Sequence, residues 1–210
     1  MSKIEEVKQL VIKGKAKLIA AATQEALDQG DKAEDLLAAM ISAMDVVGEQ
    51  FKNNEIFVPE MLVAARAMKK GVEVLKPFLA TGAAGALGKV IIGTVAGDLH
   101  DIGKNLVAMM IESAGFEVID LGVDVPAARF VEAYNENPDT KIIALSALLT
   151  TTMPAMKEAV ELLNSQDFRG NIKLMVGGAP ITEEFAKEIG ADKYTSDAAS
   201  AAQAAKALVA

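Results

Sequence analysis

The sequence holds no cysteine. That absence excludes disulfides, thiolate metal sites and a cysteine nucleophile together, and it fits a reducing, intracellular setting. Basic residues are in deficit as well: 21 Lys and Arg stand against 29 Asp and Glu, for a formal net charge of -8 at pH 7. A protein that holds nucleic acid through its phosphates needs a basic face, and the scattered cations here make none. A long apolar run is missing too. The uncharged stretch 142–156 falls short of the roughly 20 residues of a membrane span, and Ser146, three threonines and Pro154 interrupt it. No apolar segment follows the charged opening Ser2–Glu6, so no signal peptide is read there and a cytoplasmic protein is expected. What is present is a chain of 210 residues, 51% of them apolar, which is enough to bury a real core.

The chain changes character near residue 80. Before it, Leu37, Met40, Ile41, Met44, Val47 and Phe51 recur at spacings of three and four, as do Val58, Met61, Leu62, Ala65, Met68, Val72 and Leu75. Each set makes one apolar stripe on a helix. Asp31 with Glu34 reads as a capping box, and Pro59 suits a first helical turn. Gly14 divides two shorter helices within residues 3–29, and Gly30 ends the second. The expectation is a four-helix bundle over residues 1–80. Residues 81–88 are small and glycine-rich and read as a linker. From 89 to 210, short apolar runs alternate with helical patterns: Val90–Val95, Glu117–Leu121, Ile142–Ser146, Ile172–Val176 and a weak run near Asp192–Thr195 are the expected strands. That alternation predicts an α/β domain with a five-stranded parallel sheet in the flavodoxin-like order 2-1-3-4-5. Ligands of such sheets bind outside the carboxyl ends of the strands.

The loop after the first strand reads Gly97-Asp98-Leu99-His100-Asp101-Ile102-Gly103 and holds the single histidine of the chain. Asp98, two residues before it, can hydrogen-bond one imidazole nitrogen and leave the other for a metal. One histidine without cysteine cannot build a zinc site, but it suffices for a metal whose other ligands come from a macrocycle. The dinucleotide reading fails because no GxGxxG follows the strand. The third strand runs into Ser146-Ala147-Leu148-Leu149-Thr150-Thr151-Thr152, where the hydroxyls suit helix capping. The fourth ends in Gly177-Gly178, which suits a tight turn. Together these small residues leave room for a bulky ligand group.

Asp98-x-His100-x-x-Gly103, then Ser146-x-Leu148, then Gly177-Gly178 resembles the signature of cobalamin-binding domains in which a protein histidine replaces the cofactor's own base. The chain is similar to the corrinoid proteins of methyltransferase systems and to the cobalamin-binding modules of methionine synthase. The resemblance covers nearly the whole chain, the helical cap included. It implies a cobalamin (vitamin B12) cofactor with His100 as the lower ligand to cobalt. It implies that Asp98 holds His100, and that Thr152 holds Asp98 where methionine synthase has a serine. Gly97, Asp101, Ile102 and Gly103 would lie under the corrin. Ser146, Leu148, Gly177 and Gly178 would line the slot for the displaced nucleotide tail, and Thr150 would also be a cofactor-binding residue. Phe51, Val58 and Met61 of the cap would cover the methyl-bearing face.

The expected activity is that of a methyl carrier. It takes a methyl group from a donor-specific methyltransferase acting on methoxylated aromatics, methylamines, methanol or similar. It delivers that group to an acceptor methyltransferase using tetrahydrofolate or a thiol, and a reductive activator of the corrinoid is a further expected partner. Two other readings stay open here: a subunit of an adenosylcobalamin mutase, and a cofactor-free flavodoxin-like interaction module.

Overall fold

The computed structural model describes residues 2–79 and 87–210. Most of the expected linker, residues 81–86, lies outside the described residues. The chain divides into two compact units, Met1–Ala86 with Ser113–Gly115, and Leu87–Glu112 with Phe116–Ala210.

The first unit holds α1 (Lys3–Ile12), α2 (Ile19–Asp28), α3 (Ala33–Lys52) and α4 (Val58–Leu75). α1 packs on α3, α2 on α4, and α3 on α4. The apolar stripes meet as expected, with Met40, Met44, Val47, Met61, Met68 and Leu75 all buried. α3 and α4 approach closely at Gly71, where an added Cβ would stand 2.6 Å from the Met40 side chain. Pro59 lies in the first turn of α4, and Glu60 accepts a hydrogen bond from the Phe57 N–H.

The Asp31 capping box does not form. Gly30 turns to φ +96°, and the Asp31 N–H donates back to the Ala26 carbonyl while the Gly30 N–H donates to Leu27. This pair of bonds is a Schellman closure of α2. It commits the Asp31 backbone to the helix before, so α3 starts from Lys32 with no side-chain cap.

The second unit holds β1 (Lys89–Thr94), α5 (Ile102–Ser113), β2 (Glu117–Asp120), α6 (Ala127–Glu136), β3 (Thr140–Ser146), α7 (Met153–Asn164), β4 (Lys173–Gly177), α8 (Glu183–Ile189), β5 (Lys193–Tyr194) and α9 (Ala198–Val209). The strands are parallel and run in the order β2-β1-β3-β4-β5, as predicted. Val90, Ile91 and Ile92 are all buried, as are Ile142 to Leu145, so both faces of the central strands are covered. Phe130, Met156, Val160 and Leu163 from α6 and α7 fill one side against Ile91, Ile143 and Leu174. The register sets Thr94 beside Ser146 and Ser146 beside Gly177. Three strands therefore end level, and the loops that leave them share one rim.

Candidate functional site at the carboxyl ends of the central strands

Past its last paired residue β1 keeps to the ladder, since the Val95 N–H donates to the Ser146 carbonyl at 3.0 Å. The chain then turns at Gly97 and buries the Asp98 side chain completely. One carboxylate oxygen, Oδ1, lies 2.7 Å from Nδ1 of His100 and accepts the His100 backbone N–H at 3.1 Å. The other, Oδ2, faces the loop after β3. It accepts the N–H of Leu148 at 2.7 Å and of Leu149 at 3.3 Å, and the Thr152 hydroxyl lies at 2.8 Å. Asp98 thus bolts the β1 loop to the β3 loop. Burial pushes its carboxyl pKa up. The hydrogen bonds from Leu148, the His100 ring, Thr152 and the His100 backbone outweigh that and hold it well below the usual carboxylate range.

His100 itself is half exposed. Its carbonyl accepts from the Thr94 hydroxyl at 2.9 Å, which fixes the backbone under the ring. In the neutral ring, a carboxylate at Nδ1 places the proton there and leaves Nε2 with its lone pair. Among the described residues Nε2 has no hydrogen-bond partner. Around the ring, Leu99 is 72% exposed and Ile102 84%, with Leu148 and Leu149 exposed as well. Large aliphatic side chains so open to water mark a surface that takes an apolar ligand.

The structure brings the predicted strand-end residues onto one rim. Asp101 and Gly103 are exposed at the start of α5, and open space surrounds Gly103. Ser146 is half-buried at the end of β3, Leu148 is exposed beside Asp98, and Thr150 is exposed in the short turn before α7. Gly178 has a reason of its own. At φ +129°, a Cβ there would fall 1.8 Å from the Ala147 carbonyl oxygen. Gly178→Ala is therefore expected to destabilise the protein by about 3 kcal/mol, combining backbone strain and overpacking; thermal unfolding of the purified variant measures it. Phe51, Val58 and Met61 belong to the helical unit, where Met61 is buried, Phe51 half-buried and Val58 exposed.

Sequence reasoning missed several contacts to this loop. They are the three backbone N–H groups on Asp98, from His100, Leu148 and Leu149, the Thr94 hydroxyl, and Asp124, whose carboxylate accepts the Gly97 N–H at 2.7 Å. An ion pair between buried Lys104 and exposed Asp120 ties α5 to the end of β2.

Among the described residues no three His, Asp or Glu side chains converge to hold a metal ion. A metal at His100 would have to bring its other ligands with it, as the cobalt of a corrin ring does, and the exposed Leu99 and Ile102 would offer apolar contact to such a ring. The residues fit such a group. A B12 binding domain family matches residues 88–205, and a second B12 binding domain family matches residues 3–76.

The chain belongs to the B12-binding corrinoid proteins.

Dimethylamine corrinoid protein 1 of Methanosarcina acetivorans is 43% identical to this corrinoid protein over all of both chains. Dimethylamine corrinoid protein 2 of Methanosarcina mazei is 42% identical over 98% of this chain and 96% of its own. Among solved structures, a cobalamin-binding protein from Desulfitobacterium hafniense superposes with a TM-score of 0.83 at 31% identity, covering 99% of this chain and 98% of that one. A chain of the methanol:cobalamin methyltransferase complex from Methanosarcina barkeri gives 0.82 at 30% identity, covering 99% of this chain and 79% of that one. The expected family, fold class and cobalamin cofactor all hold. The cofactor-free reading falls with them. Among the described residues no helix is long and apolar enough to cross a membrane.

Proposed function

We propose that this corrinoid protein is a methyl carrier in which His100 holds the cofactor through Nε2, Asp98 and Thr152 hold His100, and donor and acceptor methyltransferases are its partners. The observation that carries the reading is the buried Asp98 carboxylate at 2.7 Å from His100 Nδ1, with the other ring nitrogen unbonded among exposed aliphatic side chains. When bound, the corrinoid supplies a cobalt that accepts a methyl group and gives it up. The protein's residues orient and electrostatically tune that centre. Asp98 keeps the imidazole in one tautomer and one plane. The Thr152 hydroxyl has one proton and two oxygens in reach, Asp98 Oδ2 at 2.8 Å and the Leu149 carbonyl at 2.9 Å. The hydroxyl therefore donates to one of them at a time, and donation to Oδ2 steadies the carboxylate that holds His100. Gly97, Asp101, Ile102, Gly103 and Thr150 would contact the corrinoid, and Ser146, Leu148, Gly177 and Gly178 would receive its nucleotide tail.

The dimethylamine relatives favour a methylated amine as the donor over the methoxylated aromatics and methanol that the sequence alone leaves open. A methyltransferase partner follows from the methanol relative, whose solved form is a methyltransferase complex. The acceptor is tetrahydrofolate or a thiol, served by a second methyltransferase, and a reductive activator restores the reduced corrinoid.

Loading the purified protein with hydroxocobalamin, reducing it and supplying a dimethylamine-specific methyltransferase with carbon-labelled dimethylamine tests the proposal. The expected result is one corrinoid per chain and label retained on the loaded protein. Loading without label from any methylated amine overturns the donor class, and failure to load overturns the carrier reading.

A further inference from the structure

Asp124 is an exposed acid in the segment between β2 and α6, and nothing in the mechanism above uses it. Its backbone is unusual: φ is +54°, in the left-handed region that few residues other than glycine enter. Its two hydrogen bonds to the β1 loop are reciprocal. The carboxylate Oδ1 accepts the Gly97 N–H at 2.7 Å, and the Asp124 N–H donates to the Asp98 carbonyl at 2.9 Å. The next residue continues the attachment, because the Val125 N–H donates to the Thr94 carbonyl at 2.9 Å. Thr94, Gly97 and Asp98 are the residues from which His100 is suspended. Asp98 holds the ring and Thr94 the His100 carbonyl, while Asp124 grips the corner at which the loop changes direction. Gly97 sits at φ +79° in that corner, and its N–H meets the Asp124 carboxylate.

We propose that Asp124 is a positioning residue for His100, clamping the Gly97–Asp98 corner from the β2–α6 side and so setting the angle at which the imidazole meets the corrinoid. The inference rests on the reading of His100 as the axial ligand. The left-handed turn and the short carboxylate bond belong to one device: the turn brings the side chain back over the backbone of a loop 27 positions away in sequence. A charge-assisted bond of this length is stronger than a neutral one, and its loss leaves the corner free to rock. Second partners of metal ligands matter for that reason: they determine where the ligand points.

Three variants separate the side chain from the backbone. Asp124→Gly keeps the left-handed turn and removes the carboxylate. Asp124→Asn keeps both the turn preference and an acceptor oxygen. Asp124→Ala removes the acceptor and strains the turn. Two readouts apply to each. Hydrogen exchange of the Gly97 amide in cofactor-free protein reports the clamp directly. The cobalt(II) form of protein labelled with 15N-histidine reports axial ligation by paramagnetic resonance, since the single histidine makes the coupling unambiguous. The Gly and Ala variants are expected to exchange the Gly97 amide about tenfold faster and to bind corrinoid about fivefold more weakly, with part of the population losing the histidine coupling. The Asn variant is expected to stay near wild type, and unchanged melting of the Gly variant shows that the fold is intact. Wild-type exchange and coupling in Asp124→Gly overturn the inference. If the wild type itself shows no histidine coupling, the axial-ligand reading has failed, and with it the inference, whatever the Gly97 exchange shows.

Discussion

His100→Ala is expected to strip the corrinoid of its protein ligand while leaving the fold untouched. The side chain is half exposed and contributes little to the core, but its ring is a partner of the buried Asp98 carboxylate, so unfolding temperature falls by about 5 degrees while the protein still folds. Cofactor affinity falls on the order of 100-fold, because even the outer partners of metal ligands cost 10- to 100-fold when lost. Histidine-derived coupling disappears completely, and the visible spectrum of any residual bound cofactor reverts to that of cobalamin carrying its own base or water. Titration with hydroxocobalamin, beside the wild type, measures all of this. Undiminished affinity in the variant would show that the corrinoid is held elsewhere.

Asp98→Asn is expected to do nearly as much damage to ligation by a different route. The buried carboxylate accepts from Leu148, Leu149 and Thr152 on one oxygen and faces two His100 nitrogens with the other. An asparagine keeps an oxygen toward the three donors only by turning its amide nitrogen toward the ring. That nitrogen donates to Nδ1, so the ring proton moves to Nε2 and blocks the position that binds metal. The His100 backbone N–H then meets a donor, and the variant loses about 2 kcal/mol of stability. The pH dependence has a definite sign. The folded carboxyl lies well below its ordinary 3.8, so its contribution is whole above that value, shrinks as the pH drops beneath it and vanishes only below the depressed folded value. Urea melts from pH 6 to pH 2 therefore show the wild type losing its advantage over the variant toward acid. A constant gap across that range would mean that Asp98 is not the ionised group described here.

Much of this protein was legible before folding because its strands are buried on both faces. Such strands appear as unbroken apolar runs, and the intervening helices carry a different period, so the strands and their parallel sense follow from the alternation, while the order β2-β1-β3-β4-β5 was one that five strands fit. Asp98, His100 and Thr152 were legible as residue types at strand ends. The Leu148 and Leu149 donors were not, since a backbone N–H has no signature in the one-letter code. Gly178 looked like a turn residue, whereas its requirement comes from the Ala147 carbonyl on another strand's loop. Asp31 misled for a related reason: its side chain suited a cap, but its backbone was already spent closing the helix before it. Buried Lys104 carried no signal in the sequence, because its partner, Asp120, lies on a different element.

Every partner of the Asp98 carboxylate is supplied by the protein itself. The most demanding buried charge of the site is therefore satisfied before any cofactor arrives, unlike domains whose metal is the keystone of folding. Synthesis and loading become separate events in time. The cofactor-free chain is expected to complete its sheet and set its histidine unaided, and a cooperative thermal melt of corrinoid-free protein checks it.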